Sequence, residues 1–387
     1  MLDFLNVPFY RHDLTAADSE AMARVLATPF LTSGPVGREV EAQIATFHGI
    51  PHALLTNSWT NGALAVLLAL GVKHGDEVIV PAMTFIASAN VVELLGAKPI
   101  FVDVDPDTLL MTPAAVAAAL TPRTKAIIPV HLYGQMCDVR GMREVLRDRP
   151  DVRIVEDCAH CFEGTRDGER PGVWSDAAVF SFYTTKNVAC GEGGAITCRD
   201  PALYERLQQT RLHGMDATAI NRYQKSRYRH WDMLCLGVKA NLPDLLAALL
   251  PPQIAAVERR LQVRKDLVEH YRAGFADGPL RLVASEPGTV GAEHMFLIHV
   301  GAIRDTAIDI LNEAGIGIGV HYRSVPTATY YAERYGYTSS DHPISAEWGA
   351  GTLTLPLYVS LTRDEQDHVI DTVRRLIYPL LKNAQQS

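Results

Sequence analysis

The sequence lacks the features that mark membrane, secreted and nucleic-acid-binding proteins. No apolar run approaches the roughly 18 residues that cross a membrane. The start, MLDFLNVPFYRHDL, has neither the basic end nor the long apolar centre of a signal peptide. No block of basic residues is present and the formal net charge is -8, which argues against nucleic acid or an anionic membrane as the main partner. We therefore predict a cytoplasmic protein.

Cysteine is also scarce, with six residues in a chain of 387. So few cysteines in so long a chain do not form a disulfide framework, and reduced thiols are expected. Cys158 and Cys161 make a CxxC pair with His160 between them, which is one half of a metal or redox motif. Because no second CxxC or spaced histidine pair completes it, we predict packing residues here and no metal.

Short apolar runs alternate with helical stretches over the first half of the chain. Helical periodicity fills segments such as Asn61 to Leu70 and Ala114 to Leu120, which lie between runs that read as strands. The pattern predicts a mostly parallel sheet with helices on both faces, in which ligands collect at the carboxyl ends of the strands. The predicted strands are His52 to Thr56, Glu77 to Pro81, Pro99 to Val104, Lys125 to Val130, Val152 to Glu156, Ala177 to Phe182 and Gly194 to Cys198.

One lysine lies between a predicted buried strand and a glycine-rich turn, in the stretch VFSFYTTKNVACGEGGA. Burial at such a place lowers the pKa of a lysine and frees its amine to attack a carbonyl carbon. Most lysines are solvated surface residues, so position alone does not assign the role. With its neighbours considered, we predict that Lys186 is a catalytic amine.

Three predicted strand ends carry polar or aromatic residues that could serve the same ligand. In TNSWTNGALAVLLAL, Ser58 and Thr60 open a helix, whose free amides suit a phosphate; an ordinary helix cap is the alternative. In VPAMTFIASAN, Phe85 could stack on a planar ring or pack in the core. In IVEDCAHCFEG, Asp157 could pair with a pyridinium nitrogen and His160 could contact the same ring.

Asp157 could instead cap the following turn, and His160 could be a satisfied core histidine. Together with Lys186, however, these strand ends offer an amine, an acid, an aromatic surface and a phosphate site. Pyridoxal phosphate requires that set of groups.

Several separated motifs closely resemble the DegT/StrS group of enzymes that depend on pyridoxal 5'-phosphate (PLP). They are GDEVIVPAMTFIASANVVELLGAKPIFVDVD, VEDCAHCFEG, SFYTTKNVACGEGGAI, RLHGM and LTLPLYVSLT, and the resemblance runs from about Phe30 to Ile377. It implies the type I fold of PLP-dependent transferases, an α/β protein whose large domain has a mostly parallel sheet between helices. A large domain at 1–242, a linking helical segment at 243–277 and a smaller α+β domain at 278–387 are expected.

The resemblance also implies roles for individual residues. Lys186 would form the Schiff base with PLP, and Asp157 would pair with the pyridine nitrogen. His160 would contact the ring on its hydroxyl side, and Phe85 would stack on it. The phosphate would be bound by Ser181, Ser58 and Thr60, although Trp59 stands where the family usually has a small residue.

Other implied contacts involve a second subunit and the substrate. Asn241 of GVKAN would reach across a homodimer interface to the cofactor phosphate of the neighbouring subunit, although it could also cap a helix beginning at Leu242. His321 and Tyr322, in an aromatic and basic loop, would contact the sugar, with simple packing as the alternative. Both active sites of the dimer would then be shared.

The activity implied by the resemblance is an aminotransferase that moves an amino group to a nucleotide-linked keto sugar. L-glutamate would be the donor and would leave the pyridoxamine 5'-phosphate form of the cofactor. The GVKAN pattern favours a 4-keto-6-deoxyhexose over a 3-keto sugar. Such enzymes serve surface polysaccharide or deoxysugar biosynthesis. The alternatives are a keto-sugar dehydratase, in which histidine replaces Lys186, and a non-catalytic member that has lost the cofactor residues.

Overall fold

Alternating strands and helices build a seven-stranded sheet, as the sequence predicts. The structure is a computed structural model that describes residues 5–216 and 230–384. The sheet has the order β1-β8-β7-β5-β4-β2-β3, and a two-stranded pair (β10-β6) and a three-stranded sheet (β12-β11-β9) accompany it. The strands are β1 His52–Thr56, β2 Glu77–Pro81, β3 Lys98–Val102, β4 Thr124–Ile127, β5 Arg153–Asp157, β6 Thr165–Arg166, β7 Ala177–Ser181, β8 Gly194–Cys198, β9 Arg281–Leu282, β10 Thr289–Val290, β11 Phe296–His299 and β12 Thr352–Leu355.

The helices connect these strands and cover them. No described helix is long and apolar enough to cross a membrane. The α-helices are α1 Ala16–Leu26, α2 Pro35–His48, α3 Trp59–Ala69, α4 Ala87–Leu94, α5 Pro113–Ala119, α6 Val139–Val145, α7 Pro201–Thr210, α8 Asp244–Ala247, α9 Leu250–Phe275, α10 Arg304–Glu313, α11 Thr329–Tyr335, α12 Pro343–Gly351, α13 Arg363–Thr372 and α14 Tyr378–Ala384. A short π-helix, Val373–Ile377, joins the last two.

The large sheet is buried on both faces because its strands are apolar at successive positions. Leu54 of β1 and Val179 of β7 lie in one hydrophobic cluster, whereas Leu55 and Phe180 lie in a cluster on the other side. Side chains alternate between the two faces of a strand, so each strand serves two cores. Only β8 runs against its neighbours, since β1 and β7 both pair with it in antiparallel register.

A separate core forms around the three-stranded sheet in the C-terminal part. It includes Phe296 and Leu353 from the sheet and Tyr271 and Phe275 from the end of α9. Val7 also belongs to this core and pairs with Ile316. The start of the chain therefore packs against the C-terminal part, and the domain boundaries given above stay a prediction.

Several boundaries differ from those predicted. The sequence also predicts a strand at Ile316 to His321, but this prediction is wrong, because the stretch makes isolated bridges only, such as Gly319 to Thr354. Gly317 approaches the N-terminal segment so closely that an added Cβ would lie 2.3 Å from the Phe9 nitrogen, and this contact replaces regular pairing. The sequence also predicts a helical segment from about Pro243 to Phe275 that is interrupted at Pro251 and Pro252. The break lies just before this pair, because α8 ends at Ala247 and the prolines occupy the first turn of α9.

Asp244 joins the beginning of the sheet domain to the start of α8. Its buried carboxylate accepts hydrogen bonds from the backbone nitrogens of Gly34 (2.9 Å), Val36 (3.1 Å) and Gly37 (3.0 Å), at the first turn of α2. A helix start leaves such amides without partners in the helix, so a side chain from a distant segment satisfies them here.

We predict that Asp244→Ala lowers the free energy of unfolding by about 2–4 kcal/mol, because three buried amides lose a charged acceptor. Urea denaturation followed by circular dichroism measures the loss. Asp200→Ala is the matched control, since that exposed carboxylate accepts a single bond, from the Ala202 nitrogen at 2.8 Å. An equal loss in both variants would contradict the role of Asp244.

Candidate active site

A cavity of about 450 Å³ lies at the carboxyl end of the central strands, where the sheet topology places ligands. Ten of the residues selected from the sequence line it, and they come from five separate stretches of the chain. They are Ser58, Trp59, Thr60, Phe85, Asp157, His160, Ser181, Lys186, His321 and Tyr322. The fold thus brings together all the predicted site residues except Asn241.

Lys186 lies in the loop that follows β7, and the rest of this loop leads to the Gly191–Gly194 turn before β8. Its backbone nitrogen donates to the Tyr183 carbonyl (2.9 Å), which fixes the turn that carries the side chain. Burial lowers the pKa of Lys186 to about 8, although the negative charge of Asp157 opposes that shift. The amine is therefore partly unprotonated near neutral pH and able to act as a nucleophile or base.

Asp157 is the last residue of β5, and its buried carboxylate is held on two sides. One oxygen accepts from the Ala159 nitrogen (3.0 Å), and the other accepts from the hydroxyl of Ser88 (2.8 Å). Burial raises the pKa of Asp157 to about 6, while these donors and the charge of Lys186 lower it. The alternative of a turn cap is thus also correct, and the same carboxylate still faces the cavity.

Ser88 is a site residue that the sequence did not identify. Its single proton goes to the Asp157 carboxylate, so Thr84, whose hydroxyl lies 2.9 Å from that of Ser88, must donate to Ser88. Both hydroxyls are buried. They come from the stretch VPAMTFIASAN that was selected for Phe85, but the residue types alone do not tell which hydroxyl reaches a strand 69 residues away.

The start of α3 provides a site for an anion. Ser58 caps the helix by accepting from the Asn61 nitrogen (3.1 Å), and the next two amides, of Trp59 and Thr60, have no partner within a helix. Across the cavity, Ser181 ends β7. Gly194 permits this close approach, because an added Cβ there would lie 2.9 Å from the Ser58 carbonyl carbon and 2.6 Å from the Phe180 oxygen.

Phe85 lies at the cavity rather than in a core, so the core alternative is wrong. Its ring is 53% exposed and stands 5.6 Å from the ring of Tyr322. An exposed aromatic ring at the edge of a polar cavity can cover one face of a planar ligand. The donor set therefore fits pyridoxal phosphate: free helix amides and hydroxyls for the phosphate, a carboxylate for the ring nitrogen, and an amine for the aldehyde.

His160 and Tyr322 are ordered by a backbone group. The Tyr133 nitrogen donates to Nδ1 of His160 (3.2 Å), so the proton of this imidazole is on Nε2, which lies 3.0 Å from the Tyr322 hydroxyl. Burial lowers the pKa of His160 far below its ordinary value, with the charge of Lys186 adding to the effect. His160 therefore stays neutral and donates to Tyr322. The Tyr322 hydroxyl keeps its own proton for an occupant of the cavity.

The other residue predicted to contact the sugar, His321, has a partner of its own. Its Nδ1 lies 2.8 Å from the Thr354 hydroxyl, and its ring stacks on Phe9 at 5.5 Å. Burial, aided by the charge of Lys186, lowers the pKa of His321 to about 4. This histidine is thus also neutral at physiological pH.

Asn241 lies outside this cavity, in a second one of about 360 Å³. Its amide nitrogen donates to the Ser33 hydroxyl (2.8 Å), and its oxygen accepts from the Lys239 ammonium. The helix-cap alternative is wrong, because α8 begins at Asp244 with Pro243 before it. Within one subunit, Asn241 is not brought to Lys186.

The two cysteines of the CxxC motif are buried and carry no disulfide. The Cys161 thiol lies 3.3 Å from the Gly134 carbonyl, and that of Cys158 lies 3.8 Å from the Glu156 carbonyl. His131, Glu156 and Cys158 do lie together, but His131 binds Glu156 at 2.6 Å. His131 also accepts a hydrogen bond from the Cys137 backbone nitrogen (3.1 Å), and Glu156 accepts one from the Gly172 backbone nitrogen (2.8 Å). The donor atoms of this cluster therefore already have protein partners.

Comparison with known proteins shows which chains are similar to this one. Residues 12–374 match the DegT/DnrJ/EryC1/StrS aminotransferase family. The structure is similar to that of Spr1654, a proposed sugar aminotransferase of Streptococcus pneumoniae, in its PLP form (30% identity, 98% of this chain and 99% of that chain, TM-score 0.89). The pyridoxamine 5'-phosphate (PMP) form of Spr1654 has also been solved. It shares 29% identity over 99% of this chain and 100% of that chain, with a TM-score of 0.91.

A second relative is DesV from S. venezuelae, solved in complex with a ketimine intermediate. It shares 34% identity over 96% of this chain and 98% of that chain, with a TM-score of 0.87. These likenesses extend over nearly the whole chain.

The buried amine should cost stability in the cofactor-free protein. Because the pKa of Lys186 is lowered from 10.5 to about 8, its charged form destabilises the fold at every pH below about 8, and the cost disappears as the pH rises past the unfolded value. We predict that Lys186→Met raises the free energy of unfolding by roughly 2–3 kcal/mol at neutral pH. Denaturation at neutral and alkaline pH measures the gain, and a gain that does not shrink at alkaline pH would contradict this cause.

Removing the Ser88 hydroxyl should change the titration of Asp157. We predict that Ser88→Ala raises the pKa of Asp157 by about one unit, because the carboxylate loses a donor. Binding of pyridoxal phosphate should weaken as the pH falls and Asp157 becomes protonated. In Ser88→Ala this weakening, followed by fluorescence, should occur at a pH about one unit higher than in the original protein. Thr84→Val is the control, since Thr84 contacts Ser88 and not Asp157. The same binding profile in Ser88→Ala and the original protein would refute the contact's role.

Proposed function

Since this chain belongs to the DegT/DnrJ/EryC1/StrS aminotransferase family, we propose that it transfers an amino group from L-glutamate to a nucleotide-linked keto sugar. The single observation that carries the proposal is the buried amine of Lys186 in one cavity with Asp157, at the carboxyl end of a parallel sheet. The predicted family, fold class and enzyme class are confirmed. A keto-sugar dehydratase with histidine in place of the lysine does not fit, because Lys186 is present.

Pyridoxal phosphate supplies an aldehyde that takes up the amino group and a ring that accepts the electron pair left on carbon. The PLP and PMP forms of the Streptococcus relative support this cofactor. Its phosphate would be bound by the amides at the start of α3 with the hydroxyls of Ser58, Thr60 and Ser181. Trp59 lines the same place in this chain.

Asp157 and Lys186 would divide the proton chemistry between them. The Asp157 carboxylate, whose pKa of about 6 leaves it ionised at pH 7, would pair with the protonated ring nitrogen. The Lys186 amine would take a proton from the α carbon of the donor and deliver it to the carbon that becomes the amine-bearing carbon of the cofactor. The reverse transfer would then serve the keto sugar.

The remaining residues would orient the ring and the sugar. Phe85 would cover one ring face, and His160 would lie on the hydroxyl side. His321 and Tyr322 would contact the sugar, with the free proton of the Tyr322 hydroxyl directed at an oxygen of the occupant. Both residues belong to the cavity wall, and both are largely buried by the surrounding protein.

A homodimer completes this proposal. Asn241 lies outside the Lys186 cavity and lines a second one, which suits a residue that serves the neighbouring subunit's phosphate. Exposed apolar side chains such as Phe30, Leu31 and Leu236 would be covered by the partner. We also retain the cytoplasm as the location, since six free cysteines suit a reducing compartment.

Transfer of labelled nitrogen tests the function directly. We predict that the protein with pyridoxal phosphate and ¹⁵N-glutamate places the label on carbon 4 of a nucleotide-linked 4-keto-6-deoxyhexose, as in surface polysaccharide or deoxysugar biosynthesis. NMR of the product identifies the labelled carbon. Label on carbon 3 would correct the regiochemistry, while a deoxygenated sugar without label would favour the dehydratase. Lys186→Ala should give no product.

Mixing two inactive variants tests the shared site. We predict that Lys186→Ala and Asn241→Ala are each inactive, and that subunits exchanged between them regain about a quarter of the original activity. In a mixed dimer one site carries both changes and the other carries neither. No recovery after verified exchange would place Asn241 in its own subunit's site, and an active Asn241→Ala variant would place it outside catalysis.

A further inference from the structure

His294 is a buried histidine near the Lys186 cavity that the proposed transfer does not use. It lies two residues before β11 and is 4% exposed. Its ring centroid is 4.6 Å from that of His160, and the next residue, Met295, lines the Lys186 cavity. A histidine so placed needs an explanation for each of its two nitrogens.

The protonation of this imidazole is fixed by its neighbours. The Asn187 amide nitrogen donates to the Ala292 carbonyl (2.7 Å) and to the Glu163 carboxyl (2.6 Å). A backbone carbonyl can only accept, so the other end of this amide, 2.9 Å from Nδ1 of His294, is its oxygen. Nδ1 therefore carries the proton, and Nε2 carries a lone pair.

This lone pair has no partner among the described residues. Nε2 of His294 is buried and makes no hydrogen bond. Burial, helped by the charge of Lys186, lowers the pKa of His294 far below its ordinary value, so the ring does not become charged to satisfy itself. A buried acceptor without a hydrogen bond lowers the stability of the fold, so this nitrogen is expected to have a donor in some state of the protein.

Lys186 is a candidate for that donor, since its charge is the one that acts most on His294. Asn187, which holds His294, directly follows Lys186, and adjacent Cα atoms lie only about 3.8 Å apart. Thr185 and Met295 line the Lys186 cavity and also a small cavity lined by His294. No described residue forms a hydrogen bond with the Lys186 amine, although the side chain is buried.

We propose that Nε2 of His294 accepts a hydrogen bond from the Lys186 amine whenever that amine is protonated and not joined to the cofactor. His294 is a positioning residue, because it acts through Lys186. An amine that carries a proton between two carbons needs a hydrogen-bond acceptor within the cavity while it holds that proton. The purpose rests on the proposed transfer, but the proposed hydrogen bond needs no cofactor and is tested in the cofactor-free protein.

Other titratable groups also face His294, and the test must separate their effects from that of Lys186. His160 and His321 lie on the cavity side, and Arg264 approaches from α9. Glu163, whose pKa burial raises to about 7, contacts Asn187. Since Glu163 titrates in the same range, a pH response of His294 must be shown to depend on Lys186.

The first experiment compares the cofactor-free protein with Lys186→Met, both with ¹⁵N-labelled histidine. NMR should show His294 in the Nδ1-protonated form in both. In the original protein the Nε2 signal should shift as Lys186 titrates near pH 8, and in Lys186→Met this shift should be lost. An Nδ1-unprotonated ring, or the same titration in both proteins, would overturn the proposal.

The second experiment measures the pKa of Lys186 by pH-dependent acylation, with mass spectrometry of the peptide that contains it. In His294→Phe this pKa should fall by about one to two units, because the ammonium loses its acceptor. In His294→Gln, whose amide oxygen can accept, the fall should be smaller. His48→Phe is the control. His48 is buried like His294 and neither of its ring nitrogens has a partner, but it lies among Phe47, Phe162 and Phe180.

The outcomes separate the two proposals. An unchanged Lys186 pKa in folded His294→Phe, or an equal fall in His294→Gln, would overturn the role of His294. If His294→Phe does not fold, the NMR comparison decides, because it needs no change at His294. If the NMR response depends on Lys186 but no keto sugar accepts nitrogen, the proposed function fails and the hydrogen bond stands.

Discussion

The site depends on holding an amine and a carboxylate together in a place from which most water is excluded. Burial favours the neutral form of both groups, and the net result is that the pKa of Lys186 is lowered to about 8 and that of Asp157 is raised to about 6. Each charge partly opposes the shift of the other, and Ser88 adds a hydrogen bond to the carboxylate. At neutral pH this leaves an ionised acid and a readily deprotonated amine, which is the combination that amino transfer needs.

The fold supplies this pairing through its parallel strands. β5 ends in Asp157 and β7 ends in Ser181, and because the two strands are parallel neighbours, both ends open on the same edge of the sheet. The antiparallel β8 then closes the Lys186 loop against β7. Two backbone groups set the directions of the surrounding hydrogen bonds: the Tyr133 amide orders His160, and the Ala292 carbonyl, through Asn187, orders His294.

The sequence predicts the sheet well where a strand is a short apolar run between polar residues. β1, β2 and β8 have the predicted bounds for that reason. It predicts a strand wrongly at Ile316 to His321, where glycines allow the N-terminal segment to approach and tertiary contacts override the apolar pattern. The residues that line the main cavity could be predicted because the family motifs that contain Lys186 and Asp157 lie at the ends of predicted strands or in the loops that follow them.

Ser88 and His294 could not be selected, because their signal is a contact between distant positions. Ser88 reaches a residue 69 positions away, and His294 reaches one 107 positions away. Nothing in the types of the neighbouring residues marks either one. Their roles depend on which atoms donate and accept, and this becomes known only when the partners are placed in three dimensions.

The most direct test of the account is the absorption spectrum of the protein loaded with pyridoxal phosphate, before and after L-glutamate, compared with Lys186→Ala. The account predicts a long-wavelength cofactor band in the original protein that moves to the shorter wavelength of the amine form after glutamate. Lys186→Ala should lack the lysine-linked band and fail to cycle. If the original protein binds no cofactor, or if the alanine variant cycles equally well, the central role of Lys186 is contradicted.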